Sequence, residues 1–152
     1  MKLKPGDKAP ELGQPDQDGR IVRLSGFKGK SVVLYFYPKD MTPGCATEAC
    51  GFRDYSQRFA EQGAVIIGVS PDDGMSHKKF IKRYSLPFAL IADNDKRIAK
   101  AYGVWGPKKF MGREYDGIHR TTFIIDGKGI IRRIFRDVKP EGHGQEALEA
   151  LG

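Results

Sequence analysis

Residues 31–37, Ser-Val-Val-Leu-Tyr-Phe-Tyr, constrain the fold of this chain more than any other segment. The run from Val32 to Tyr37 is continuously apolar, β-branched or aromatic, and Pro38 ends it. It offers no polar face, so it reads as a strand covered on both sides, the situation of a parallel or mixed central sheet. Residues 64–69 read the same way, and 88–91 form a shorter strand. Residues 121–125 and 130–135, split by Asp126-Gly127-Lys128-Gly129, predict a hairpin. Residues 18–24 predict one strand of an early ribbon. Apolar or aromatic residues at 45, 49, 52, 55 and 59 predict a helix over 45–62, with shorter helices over 75–84, 96–102 and 145–151. Strands alternating with helices, closed by a hairpin and a helix, imply an α/β sandwich. Ligands in such folds gather beyond the carboxyl ends of strands. Here residues 31–37 lead straight into the first cysteine.

At 152 residues the chain predicts one domain, 1–152, large enough to hold a core without staples. Its longest apolar stretches, 32–37 and 64–69, fall far short of the ~20 residues of a membrane helix. The opening segment has lysines but no apolar stretch, so no signal peptide is expected, and the expected location is cytoplasmic, away from membranes. Lys+Arg total 26 against 19 Asp+Glu, a formal charge of +7. The basic residues are spread along the chain and mixed with acids; the densest stretch, 106–113, carries Lys108, Lys109 and Arg113. This predicts a solvated positive surface without nucleic acid as partner. The string Gly26-Phe27-Lys28-Gly29-Lys30-Ser31 hints at a phosphate loop but fails, because Leu24 stands where the first glycine belongs and the string precedes a strand.

The chain has two cysteines, Cys45 and Cys50. With His77, His119 and His143 they show no zinc-ligand spacing, so no metal is expected. His77 and His143 are expected at the surface, and His119 solvated or hydrogen-bonded. In a reducing compartment a cysteine pair this close is chemical rather than structural. Thr42 is a good N-cap and Pro43 suits the first helical position, which puts Cys45 at the third. Unpaired amides and the positive end of the helix dipole favour an anion there, so a thiolate-biased Cys45 is expected. The Thr42 hydroxyl is a donor to that thiolate or to a bound oxygen. In an intact helix Cys50 lies roughly 8.5 Å from Cys45 between Cα atoms, whereas a disulfide needs less than about 7 Å. Either Cys50 is idle, or this turn unwinds during the working cycle.

The block from Pro38 through Thr42-Pro43-Gly44-Cys45 to Glu48-Ala49-Cys50, followed by Gly51-Phe52-Arg53-Asp54, resembles the peroxiredoxins, in particular their bacterioferritin-comigratory-protein / PrxQ branch. The segments 102–106 with Lys108-Lys109, 117–126, Gly6-Asp7-Lys8-Ala9-Pro10 and Pro71-Asp72 are similar to the same branch, so the likeness covers nearly the whole chain. Ala46 stands where many members have Thr. The resemblance implies a thioredoxin-like fold, a central mixed β-sheet flanked by helices, with an N-terminal β-hairpin extension. It implies a peroxidatic Cys45 and a resolving Cys50, with Pro38, Thr42 and Arg120 shaping the peroxide pocket and Glu48 as a pocket-side acid. The reaction it implies takes hydrogen peroxide or organic hydroperoxides to water or alcohols. A Cys45 sulfenic acid condenses with Cys50, and thioredoxin or a similar dithiol restores both thiols. It calls for no metal or organic cofactor. Both cysteines share a helix, so a monomer is expected. Trp105 with Phe110 is either an apolar wall near the pocket or core packing. The competing readings are a disulfide reductase, whose usual spacing is CxxC rather than CxxxxC, a non-catalytic redox sensor or holdase, and a basic nucleic-acid module.

Overall fold

A computed structural model describes residues 2–151. Its centre is a five-stranded sheet whose strands are, from edge to edge, 89–92 (β5), 64–70 (β4), 31–36 (β3), 121–125 (β8) and 131–135 (β9). The buried run forms β3 (Ser31–Phe36) in the middle, flanked by β4 (Ala64–Ser70) and β8 (Thr121–Ile125). β3 pairs in parallel with β4, and β4 in parallel with β5 (Ala89–Ala92). β8 runs antiparallel to β3 and forms the expected hairpin with β9 (Ile131–Phe135). The sheet is mixed, as the continuous apolar run predicted.

The pleat of β3 separates two cores. Val32, Leu34 and Phe36 pack on one face with Tyr102, Val104, Ile118 and α4 (Arg97–Ala101). Val33, Tyr35 and Tyr37 pack on the other with α1 (Pro43–Asp54), α2 (Ser56–Glu61), α3 (Gly74–Tyr84) and α5 (His143–Leu151). Each fully buried aromatic contributes on the order of 1.5–3 kcal/mol by leaving water, which is why a strand with no polar face has to sit at the centre. Gly68 on β4 makes room for this packing: a Cβ there would lie 2.9 Å from the Tyr35 ring and 2.7 Å from Leu90.

Three elements differ from the sequence expectation. The helix over 45–62 is two helices, broken at Tyr55, whose amide turns back to the Phe52 carbonyl at 3.3 Å. The early ribbon is short, β1 (Gln14–Pro15) against β2 (Ile21–Val22). A hairpin absent from the sequence reading, β6 (Trp105–Phe110) and β7 (Arg113–Ile118), occupies the basic stretch. Trp105 and Phe110 therefore form no common wall. Five residues apart on one strand, they face opposite sides; Trp105 packs on the core and Phe110 is 65% exposed.

Candidate active site

The carboxyl end of β3 delivers the chain to the site. Tyr37 and Pro38 lead into a loop in which Met41 takes a left-handed φ of 67°, and α1 begins at Pro43. Thr42 has the extended backbone of an N-cap, φ −77° and ψ 149°, but its side chain makes no capping bond. Its hydroxyl instead donates to the Lys39 carbonyl at 2.9 Å, closing the loop on itself. Pro43 at the first helical position and the carbonyl of Thr42 accepting from the Ala46 amide at 2.9 Å start the helix. Cys45 then lies in the first turn, 1% exposed, where amides lack intrahelical partners.

Arg120 arrives from the opposite direction, immediately before β8. Its Nη2 donates to the Cys45 sulfur at 3.4 Å and its Nη1 to Glu48 Oε1 at 2.5 Å. One guanidinium thus bridges a thiol and a carboxylate on one face of α1, using the fixed fork that lysine lacks. Val138 donates its amide to the Arg120 carbonyl, and Pro140 lies beside Gly44, so the segment after β9 covers this corner. Burial works against the Arg120 charge, but the Glu48 carboxylate and the Cys45 sulfur outweigh it and hold its pKa above the ordinary value. Glu48 is fully buried, and burial pushes its carboxyl up to about 7 despite the pull of Arg120. Its Oε2 has no partner. Tyr35 stands behind the site with its hydroxyl also unpartnered. Burial, then the Glu48 carboxylate and the Cys45 sulfur, push its pKa well up.

Of the residues expected from sequence, Cys45, Glu48 and Arg120 come together in direct contact, while Pro38 and Thr42 form the adjoining loop. Cys50 is a free, half-buried thiol further along the same intact helix, and Cys45 is free as well. The helix around Cys50 is clamped from one side: a Cβ on Gly144 of α5 would lie 2.5 Å from the Gly51 carbonyl oxygen.

The histidines depart from expectation. His77 and His143 are buried, not at the surface. His77 Nδ1 meets Asp40 Oδ2 at 2.7 Å and its Nε2 meets the Ile91 carbonyl at 2.9 Å. Asp40 also accepts from the Tyr37 hydroxyl at 2.6 Å and the Ser76 hydroxyl at 2.8 Å, and its amide donates to Asp72 at 2.7 Å. This network ties the loop between β3 and α1 to α3 and β5, and sequence reasoning missed it. The available signal was His77 lying three and four residues before Phe80 and Ile81, on the apolar side of its helix. His143 bonds Thr122 and Glu146 and packs edge-on against Phe52 and Phe135; burial lowers its pKa. His119 is hydrogen-bonded, to the Pro107 carbonyl at 3.0 Å. Among the described residues, Asp40, Asp72 and His77 are the one cluster with metal-ligand chemistry. Their donor atoms are already taken up by hydrogen bonds within the protein.

A buried thiol in the first turn of a helix, braced by arginine at the carboxyl end of a central strand, defines a thiol peroxidase of thioredoxin-like fold. The AhpC/TSA family pattern matches residues 5–134, and the chain belongs to this peroxiredoxin family. It is 52% identical over 151 residues to peroxiredoxin Bcp of Bacillus subtilis, covering 99% of this chain and 96% of that one. Peroxiredoxin Bcp of Escherichia coli K12 is 44% identical over 149 residues, covering 98% and 96%. Among solved structures, a cysteine-to-serine variant of Xylella fastidiosa PrxQ superposes with a TM-score of 0.92 at 34% identity, covering 99% and 96%. A Xanthomonas campestris bacterioferritin comigratory protein, described for its alkyl peroxide reduction activity, superposes at 0.87 with 34% identity, covering 95% and 97%. The chain is a thiol-dependent peroxidase, with peroxides as substrates and a thiol as reductant. Among the described residues no helix is long and apolar enough to cross a membrane.

Proposed function

We propose that Cys45 is the peroxidatic residue of a single-domain, monomeric, cytoplasmic enzyme that reduces hydrogen peroxide and alkyl hydroperoxides at the expense of thioredoxin or a similar dithiol. The observation that carries this reading is the Arg120 guanidinium 3.4 Å from the Cys45 sulfur. The thiolate is the nucleophile, and a fixed cation with the first-turn amides of α1 stabilises negative charge on it. The sulfur attacks the terminal oxygen of ROOH. An S–O bond forms, the O–O bond breaks with its electron pair on RO⁻, and a proton converts RO⁻ to ROH. Charge develops on both oxygens, and Arg120 and the helix amides are in place before it does, as in an oxyanion hole. Thr42 has committed its proton to the Lys39 carbonyl, so its oxygen offers lone pairs to the peroxide O–H. Pro38 shapes the wall where β3 ends, and Glu48 orients Arg120.

The Cys45 sulfenic acid then condenses with the Cys50 thiol, releasing water and forming a disulfide. Five residues of α-helix hold the Cα atoms roughly 8.5 Å apart, beyond disulfide reach, so the first turns of α1 unwind at this step. Both sulfurs lie on one helix, so no second subunit is required. A dithiol reopens the bridge by exchange. The test is consumption of hydrogen peroxide and of an alkyl hydroperoxide under thioredoxin and its reductase. Turnover is expected in the native protein and none in Cys45→Ser; turnover retained by Cys45→Ser overturns the assignment. A single oxidation without turnover would make the protein a sensor.

A further inference from the structure

The phosphate-loop-like string that fails as such borders a cavity of about 680 Å³ at the opposite end of the sheet from Cys45. Its interior is apolar, made by Ala9, Leu24, Phe27, Val32 and Ile125. Its rim carries Lys8, Lys28, Lys30 and Lys128. Two acids also line it, and both are engaged elsewhere. Glu11 accepts the amides of Leu12 and Leu24. Asp126 accepts the amides of Lys128 and Ile130 and pairs with Arg132 at 2.6 Å. Among the described residues none of the four lysines forms an ion pair. The frame is fixed by backbone: Ala9 donates to the Gly129 carbonyl at 2.9 Å, and Gly29 to the Gly127 carbonyl at 3.0 Å. The volume lies within the range of about 300–1,000 Å³ of small-molecule sites.

We propose that this cavity binds a free organic anion with a large apolar body, a medium-chain or aryl carboxylate. The chain or ring fills the apolar interior, and the carboxylate meets the lysine rim, whose four lysines form no ion pair among the described residues. Five residues of rise along β3, roughly 17 Å, separate this site from the thiol, so it is not a peroxide subsite. A nucleotide is the poorer occupant: the helical turn on the lining is the four-residue 3-10 turn Leu24–Phe27, whose Leu24 amide Glu11 already holds, and Phe27 alone is offered for stacking.

The test is titration of the reduced full chain with decanoate, and with 1-decanol as the uncharged match, followed by amide NMR. Saturable one-to-one binding is expected, with shifts at Gly127, Gly129 and Lys30. Binding should weaken at least ten-fold for 1-decanol and for the doubly substituted Lys28→Glu, Lys30→Glu protein. Both lysines are exposed, so this variant keeps the fold, and peroxidase turnover reports on that. Shifts centred on residues 38–50, equal binding of the alcohol, no effect of charge reversal, or no saturable binding would each overturn the proposal. Retention on phosphatidylglycerol vesicles without binding of free decanoate would overturn it too, replacing the cavity with a membrane contact.

Discussion

Two hydrogen-bonded side-chain pairs flank the loop between β3 and α1, Asp40–His77 and Glu48–Arg120, and they are built to opposite standards. In Asp40–His77 each side-chain atom is satisfied: both ring nitrogens face acceptors, and both carboxylate oxygens accept from hydroxyls or the ring. In Glu48–Arg120 one carboxylate oxygen has no partner, and the arginine spends a donor on a sulfur. A fully satisfied buried network fixes geometry. An incompletely satisfied one leaves a polar group uncompensated, here the buried Glu48 Oε2 on the carboxyl that Arg120 holds. The first pair ties the loop to α3 and β5, and the second lies against the Cys45 sulfur.

The contrast breaks most visibly at Arg120. Arg120→Ala is expected to slow Cys45 oxidation by peroxide on the order of 10²–10³-fold, the scale of losing an oxyanion donor. The melting temperature should move little, because Glu48, already pushed up to about 7, can take a proton rather than remain a buried unpaired anion. Stopped-flow oxidation and a thermal melt on one preparation check this; a large loss of stability with little loss of rate would make Arg120 structural. Asp40→Ala should show the reverse. It leaves the buried Tyr37 hydroxyl and a His77 ring nitrogen without Asp40, at about 1–3 kcal/mol for each unsatisfied buried group, so denaturant unfolding should show the larger stability loss of the two variants. At low temperature its folded fraction should still form the Cys45–Cys50 bridge.

Glu48→Gln gives the smaller, pH-resolved effect. Burial raises the carboxyl in the folded state, so between about 4.5 and 7 the native protein binds the proton more tightly than the unfolded chain. Its contribution to stability is full below the unfolded value and is lost as pH rises through about 7. Unfolding midpoints of Glu48→Gln relative to the native protein should therefore improve across that window. The rate of Cys45 oxidation should also lose a titration near neutrality, since Arg120 no longer shares its charge with an ionising neighbour. An unchanged pH profile would detach Glu48 from the sulfur.

What the sequence disclosed follows from how local each feature is. The run 31–37 and the Asp126–Gly129 turn are local, and both appear where expected. Thr42-Pro43 and the cysteine spacing are local too, so the thiol at a helix start was legible; the Thr42 hydroxyl bond to Lys39 was not, because it depends on the loop closing. Arg120 is 75 residues from Cys45 and was identified only through resemblance. Asp40 and His77 are 37 residues apart, and nothing in either neighbourhood announces the pairing. The β6–β7 hairpin was hidden for another reason. Its two-residue turn, Met111-Gly112, has positive φ at both positions, 52° and 79°, where Asn-Gly or Asp-Gly is the usual signal. Its strands are largely exposed, so no apolar alternation marks them.

The central claim is that Cys45 and Cys50, held apart on an intact helix, bridge during catalysis. The direct test is the intact mass of fully reduced protein before and after one equivalent of hydrogen peroxide. Rapid, complete loss of two hydrogens, absent in Cys50→Ser, is the predicted result. Oxygen addition without that loss would make Cys50 a bystander, and no change in mass would contradict the peroxidatic role of Cys45.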